Sequence, residues 1–152
     1  MTEKLEKMID KEKFQVFILC CPAYFPFNYF RHPWIVLNNK GEISRYEIRH
    51  FINKKDGSYF FLNNQSAFEG INKFPYVKSK WSVNMLKYLE GELAEKIIIF
   101  SENKEKYPYF YRYNFIGPNS NTYLAWLLKN FPEIDLNLSK RFIGKNYKIN
   151  IK

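Results

Sequence analysis

The sequence predicts an α+β domain in which an antiparallel sheet packs against helices, and three observations carry that prediction. Residues 14–20 form a short apolar run that ends near Pro22, residues 32–51 read as a hairpin, and Leu124, Leu127, Leu128 and Phe131 follow Asn119 and Ser120 at helical spacing. With 152 residues the chain is expected to form a single domain, residues 14–152, behind a charged lead-in, residues 1–13. Fifteen Phe, twelve Tyr and three Trp demand an aromatic core and should leave some rings on the surface or lining a cleft.

The lead-in mixes Glu and Lys and is expected as a short surface helix or as disordered chain. Strand formers fill residues 14–20. Residues 21–31 carry two prolines and five aromatics, too irregular for an element and too apolar for a linker, so they are expected to wall a cleft. In the hairpin, Trp34, Ile35, Val36 and Leu37 favour a strand, and Asn39-Lys40-Gly41 suits a tight turn before the alternating residues 42–48. A further turn at Lys54-Lys55-Asp56-Gly57 precedes an expected strand at residues 58–62, and residues 63–80 read as loop. Val83, Leu86 and Leu89 predict a helix from Ser82 to Gly91; Leu93, Ile97 and Phe100 predict a second over residues 92–103. Residues 107–115 alternate aromatic with polar side chains and are expected to run extended into Pro118. A third helix is expected over residues 119–130, stopped by Pro132, and the tail around Ile143-Gly144-Lys145-Asn146-Tyr147 is expected to be ordered.

A net charge of +9 suits polyanionic partners or an anionic membrane surface, but the lysines are scattered and no nucleic-acid module is present, so no nucleic acid is expected. Cys20 and Cys21 are adjacent with no third cysteine to pair with, which points to a reducing compartment and a cytoplasmic protein. Buried strand thiols are their plain reading; the functional alternative, a thiol nucleophile, lacks a following helix N-terminus. Two histidines, two cysteines and no acidic cluster at ligand spacing leave no closed metal set, and no cofactor motif is present. No apolar run is long enough to span a bilayer, and the mixed charges of residues 3–13 are unlike a signal peptide. Leu19 is also not the small residue that a lipid-attachment cysteine requires.

The string Gly117-Pro118-Asn119-Ser120-Asn121-Thr122-Tyr123 places the Ser120 hydroxyl at a helix start, where N–H groups and the positive end of the dipole stabilise an anion. The plain alternative is that Asn119 and Ser120 only cap a buried helix. His32, at the mouth of the hairpin, and His50 are the only imidazoles available to a His-based mechanism. A three-residue loop at Asn39-Lys40-Gly41 would set Ile48 opposite His32, with His50 one diagonal step away on the same face. A two-residue loop at Asn39-Lys40 would set Glu47 opposite instead, and the sequence leaves both registers open. Either register supplies a polar residue, His50 or Glu47, that could orient the imidazole. A serine hydroxyl must lose its proton as it attacks, so a working site needs His32 within reach of Ser120, with the Ser120 N–H and Asn119 or Asn121 facing the oxyanion.

The string from Gly117 to Tyr123, the Ala125-Trp126 pair behind it, Tyr107-Pro108-Tyr109, Tyr113 and the Ile143 to Tyr147 stretch together resemble a bacterial family known as domain of unknown function 3750. That resemblance covers most of residues 14–147. More distantly, His32-Pro33-Trp34-Ile35-Val36 and Asn119-Ser120-Asn121-Thr122-Tyr123 resemble the two motifs of the circularly permuted papain-like hydrolases. Those motifs are a strand opening His-x-Gly-Ile/Val and a later Asn-Cys-x-x-Phe opening a helix; here Ser stands in the Cys position. The resemblance implies a papain-like sheet and a hydrolase or acyltransferase acting on an amide, ester or thioester. It implies Ser120 as nucleophile and His32 as base, with Asn119, Asn121, His50 or Glu47 assisting, and a small molecule, peptide or acyl lipid as substrate. A rival reading is a non-catalytic descendant that binds a carboxylate or acyl head group in the same cleft. A third is a peripheral lipid-binding module in weak contact with anionic membranes, motivated by the charge and the aromatics of residues 24–30.

Overall fold

In the computed structural model, residues 2–50, 66–74 and 77–149 are described. Strand β1 (Phe14–Pro22) and strand β2 (Arg31–Asn39) pair antiparallel at the centre of a sheet, and residues 15–21 and 32–38 are buried without interruption. Their near-continuous apolar sequences follow from being covered on both faces. Strand β3 (Glu42–Tyr46) flanks β2, and strand β4 (Asn84–Glu90) flanks β1, giving an all-antiparallel sheet of order β3-β2-β1-β4. Short helix α1 (Thr2–Glu6) precedes the sheet, and helices α2 (Glu92–Glu102) and α3 (Ser120–Asn130) follow β4. The protein is therefore a mixed α+β fold.

The sheet separates two apolar clusters. Val16, Ile18, Ile35 and Leu37 meet α2 and α3 through Ala94, Ile97, Leu124 and Leu127 on one face. Phe17, Leu19, Trp34 and Val36 meet Leu5, Phe68, Ile71 and Val83 on the other. Leu5, at 2% exposure, makes the lead-in helix part of this second layer rather than a surface appendage. The face of α3 expected to be apolar does pack inward: Leu124 and Leu127 are buried, and Leu128 and Phe131 lie against the same cluster.

Several expectations are corrected. Residues 84–90 form a strand, not a helix, because they pair with β1, and a bulge opposite Ile18 and Leu19, whose successive partners are Lys87 and Met85, hides the alternation. The extra residue turns both Leu86 and Leu89 toward the helix-side cluster, and the spacing of three that results imitates a helix. Residues 107–111 turn and residues 112–115 are irregular rather than a strand, with Phe110 N–H donating to Tyr107 O and Arg112 N–H to Tyr109 O. The Tyr107 ring is pulled inward at 5.3 Å from both the Tyr123 and Trp126 rings. The turn and strand expected over residues 54–62 lie outside the described residues.

The hairpin turn also differs from both expected registers. Asn39 pairs with Glu42, leaving only Lys40 and Gly41 in the loop, with φ of 48° and 98°. Two positive φ values give the primed turn that matches strand twist, and Asn38 Oδ1 fixes it by accepting the Gly41 N–H at 2.7 Å. In this register Val36 opposes Arg45, so alternation sets Arg45 and Glu47 on the face that carries Trp34 and His32.

Candidate active site

Helix α3 begins at an unusually well-satisfied cap. Asn119 Oδ1 accepts the Asn121 and Thr122 N–H groups at 2.9 and 3.2 Å, and Thr122 Oγ1 accepts the Asn119 N–H at 3.1 Å, a reciprocal capping box. A strap from the tail closes over it. Asn119 Nδ2 donates to Phe115 O and Ile143 O at 2.8 and 3.1 Å, Asn121 Nδ2 donates to Ile143 O at 2.8 Å, and Thr122 Oγ1 donates to Gly144 O at 2.8 Å. Gly144 has φ of 90°, and a Cβ there would lie 2.7 Å from Asn119 Nδ2; at Gly117, with φ of 132°, a Cβ would lie 2.8 Å from the Tyr147 ring. Glycine at both positions lets the strap and the cap approach this closely.

With the cap satisfied by Asn119, the Ser120 N–H has no acceptor among the described residues, and no acidic residue occupies the first turn of α3. Ser120 Oγ lies 3.3 Å from His32 Nδ1 at the start of β2. The other imidazole nitrogen, Nε2, lies 2.8 Å from Glu47 Oε1. Glu47 is held in turn by Arg45, whose Nε donates to Oε2 at 2.5 Å, and by Arg49, whose Nε donates to Oε1. Arg45 is itself fixed: its guanidinium lies 4.3 Å over the Trp34 ring, and Nη1 donates to Ser66 O at 2.9 Å.

The electrostatics set the protonation states. Burial alone would raise the Glu47 carboxyl, but the hydrogen bond and charge of His32 together with Arg45 and Arg49 outweigh it and hold the group at about 2. Burial pushes His32 below its ordinary value, more than Glu47 raises it, and Arg49 and Arg45 act in the same direction as burial. The carboxylate only accepts, so the neutral imidazole carries its proton on Nε2 and presents the Nδ1 lone pair to the Ser120 hydroxyl.

The structure thus brings Ser120, His32 and Glu47 into one chain of contacts. Asn121, in the first turn of α3, donates to the strap at Ile143 O, which fixes its amide orientation, and among the described residues its buried Oδ1 has no donor. Asn119 is occupied by the cap and the strap. His50 stands apart from the chain, exposed and stacked at 5.6 Å on Tyr113. Arg45 and Arg49 were not singled out from the sequence, although Arg45-x-Glu47-x-Arg49 is a period-two pattern that sets three charges on one strand face. Cys20 and Cys21 are unpaired, and burial pushes their thiols up to about 11 and about 12. Among the described residues no group of three or more His, Cys, Asp or Glu could hold a metal ion, and no helix is long and apolar enough to cross a membrane.

Residues 15–147 match the family described as protein of unknown function (DUF3750). The chain belongs to the DUF3750 family. The matched region includes every residue of the Ser120–His32–Glu47 chain, the cap and the strap of this DUF3750 protein. No curated protein and no solved structure matches it.

Proposed function

We propose that this DUF3750 protein is a papain-like hydrolase or acyltransferase of the circularly permuted type, with Ser120 as nucleophile, His32 as general base and Glu47 as the group that orients His32. The observation that carries this reading is the 3.3 Å approach of Ser120 Oγ to the His32 nitrogen opposite the one bound by Glu47. As Ser120 attacks a carbonyl, its proton passes to Nδ1 and the oxyanion forms beside the Ser120 N–H at the positive end of α3. Glu47 stabilises the imidazolium, which then returns the proton to the leaving group. Water or a second nucleophile releases the acyl group from Ser120, which separates a hydrolase from an acyltransferase.

The test is labelling by a fluorophosphonate probe, read by mass spectrometry. An adduct on Ser120 in the wild type, absent from folded His32→Ala, is the expected result. A folded wild type that stays unlabelled would instead support the non-catalytic binding descendant.

A further inference from the structure

Three segments far apart in sequence bring exposed aromatic rings together beside the start of β2. Phe25 packs on Phe74 at 5.3 Å, and Phe115 receives Phe27 at 4.8 Å and Phe30 at 5.8 Å. These rings remain largely in water: Phe25 is 54% exposed, Phe27 49%, Tyr29 55%, and Ile116 beside Phe115 70%. A soluble chain rarely leaves so many contiguous apolar side chains uncovered without a partner for them.

Cationic residues lie among these rings, and Glu69, the acid that borders residues 70–74, is held by Lys80. Residues 20–41, 70–89 and 106–132, which supply all of these rings, contain no Asp or Glu, whereas α2 and its flanks hold Glu90, Glu92, Glu95, Glu102 and Glu105. The Arg141 guanidinium lies 5.1 Å over the Tyr29 ring and its Nε donates to Tyr29 O at 2.7 Å. Arg31 N–H donates to Arg141 O, and Lys73 O accepts the Phe25 N–H, which sets three cationic residues among the exposed rings.

We infer that this aromatic and cationic surface docks the protein on an anionic lipid bilayer, with the rings entering the interface and Arg31, Lys73 and Arg141 facing lipid phosphates and carboxylates. Exposed aromatics rimmed by cations, with the acidic residues placed elsewhere, complement such a surface in both of its layers. A protein partner of ordinary composition offers no matching sheet of negative charge. The docked orientation turns the His32 and Ser120 end of the molecule toward the lipid, since Phe30 and Arg31 run directly into His32 and Phe115 O is bonded by the Asn119 cap. Docking needs no chemistry at Ser120.

Flotation with vesicles of equal phosphatidylcholine and phosphatidylglycerol, compared with phosphatidylcholine alone, tests the inference. The wild type and Ser120→Ala should float with the anionic vesicles to the same extent, weakly with neutral ones, and less in high salt. The triple variant Phe25→Ser, Phe27→Ser, Ile116→Ser should bind about ten-fold more weakly or worse while keeping the wild-type circular dichroism spectrum. Should that variant misfold, Ile116→Cys carrying an environment-sensitive dye, with the buried Cys20 and Cys21 as the unlabelled background, should shift to the blue on anionic vesicles. A wild type that floats with neither vesicle, or a dye that does not shift, would overturn the proposal. So would a dimer that the triple variant dissociates, because a second copy of the chain would then own the patch.

Discussion

Helices α2 and α3 are each eleven residues long and both pack on the helix-side cluster of the sheet, yet their N-termini are built in opposite ways. Helix α2 starts at Gly91 with no side-chain cap, carries Glu92 and Glu95 in its first turn, and sets its Glu92–Lys96 pair in open solvent. Its dipole is answered by water and by its own carboxylates. Helix α3 starts inside the protein, has Asn119 as a fully bonded cap, has no acid in its first turn, and turns its remaining positive end toward Ser120 and His32. Asn119 meets two of its end N–H groups, and no carboxylate stands in its first turn. The difference is between a helix end that carries its own anions and one that carries none, with Ser120 and His32 beside it.

The largest effects should come from breaking the contacts at the α3 end. Ser120→Ala and His32→Ala should each lower turnover of an amide, ester or thioester substrate on the order of 10⁶-fold, with the double variant no worse than the singles, as measured by steady-state kinetics. Glu47→Gln should lose turnover about 10⁴-fold, because a carboxamide can donate to Nε2 and move the imidazole proton onto the nitrogen that faces Ser120. The same substitution leaves Arg45 and Arg49 without their buried anion. Urea titration should find it less stable by about 3 kcal/mol, whereas Glu92→Gln at the α2 end should not move the midpoint measurably.

What the sequence disclosed follows the range over which each signal acts. Ser120 at a helix start and the inward face of α3 were legible because capping and helical periodicity are local. Glu47 could be named but not placed. The register depended on a turn with Lys40 at positive φ, where Asn or Gly is the usual signal, and on the Asn38 side chain that holds it. Strand β4 was misread because its bulge shifts the alternation by one residue, a feature set by its pairing with β1. The tail stood out as a string, but nothing local says that Ile143 and Gly144 accept from Asn119, Asn121 and Thr122 some twenty residues earlier. The aromatic patch was anticipated only for residues 24–30; Phe74 and Phe115 join it through tertiary structure.

A smaller loss should follow at the cap itself. Asn119→Ala removes the acceptor for two N–H groups and the donor to Phe115 O and Ile143 O, so it should cost about 1–2 kcal/mol in a urea titration. Helix α2 has no equivalent side chain to remove, since Gly91 makes no side-chain cap. Helix content by circular dichroism should be nearly unchanged in Asn119→Ala, with the loss appearing in stability and in the geometry of Ser120.

The smallest effect is a pH dependence that sets the two helix ends apart. His32 is held below its ordinary value of 6.5 by burial, so as the pH falls through 6.5 the unfolded chain takes up a proton that the folded chain refuses. Its contribution is complete above that pH and declines below it, by no more than about 1.4 kcal/mol per pH unit. Glu47 behaves differently in window but alike in sign. With its folded value at about 2 against an ordinary 4.5, its contribution persists below pH 6 and fades as the pH falls from 4.5 toward 2. Urea midpoints of the wild type should therefore begin to fall below pH 6.5, and those of a folded His32→Gln variant should stay level until carboxylates titrate. A variant that follows the wild-type curve between pH 6.5 and 5 would place the buried imidazole elsewhere in the titration and remove the neutral Nδ1 that the α3 end requires.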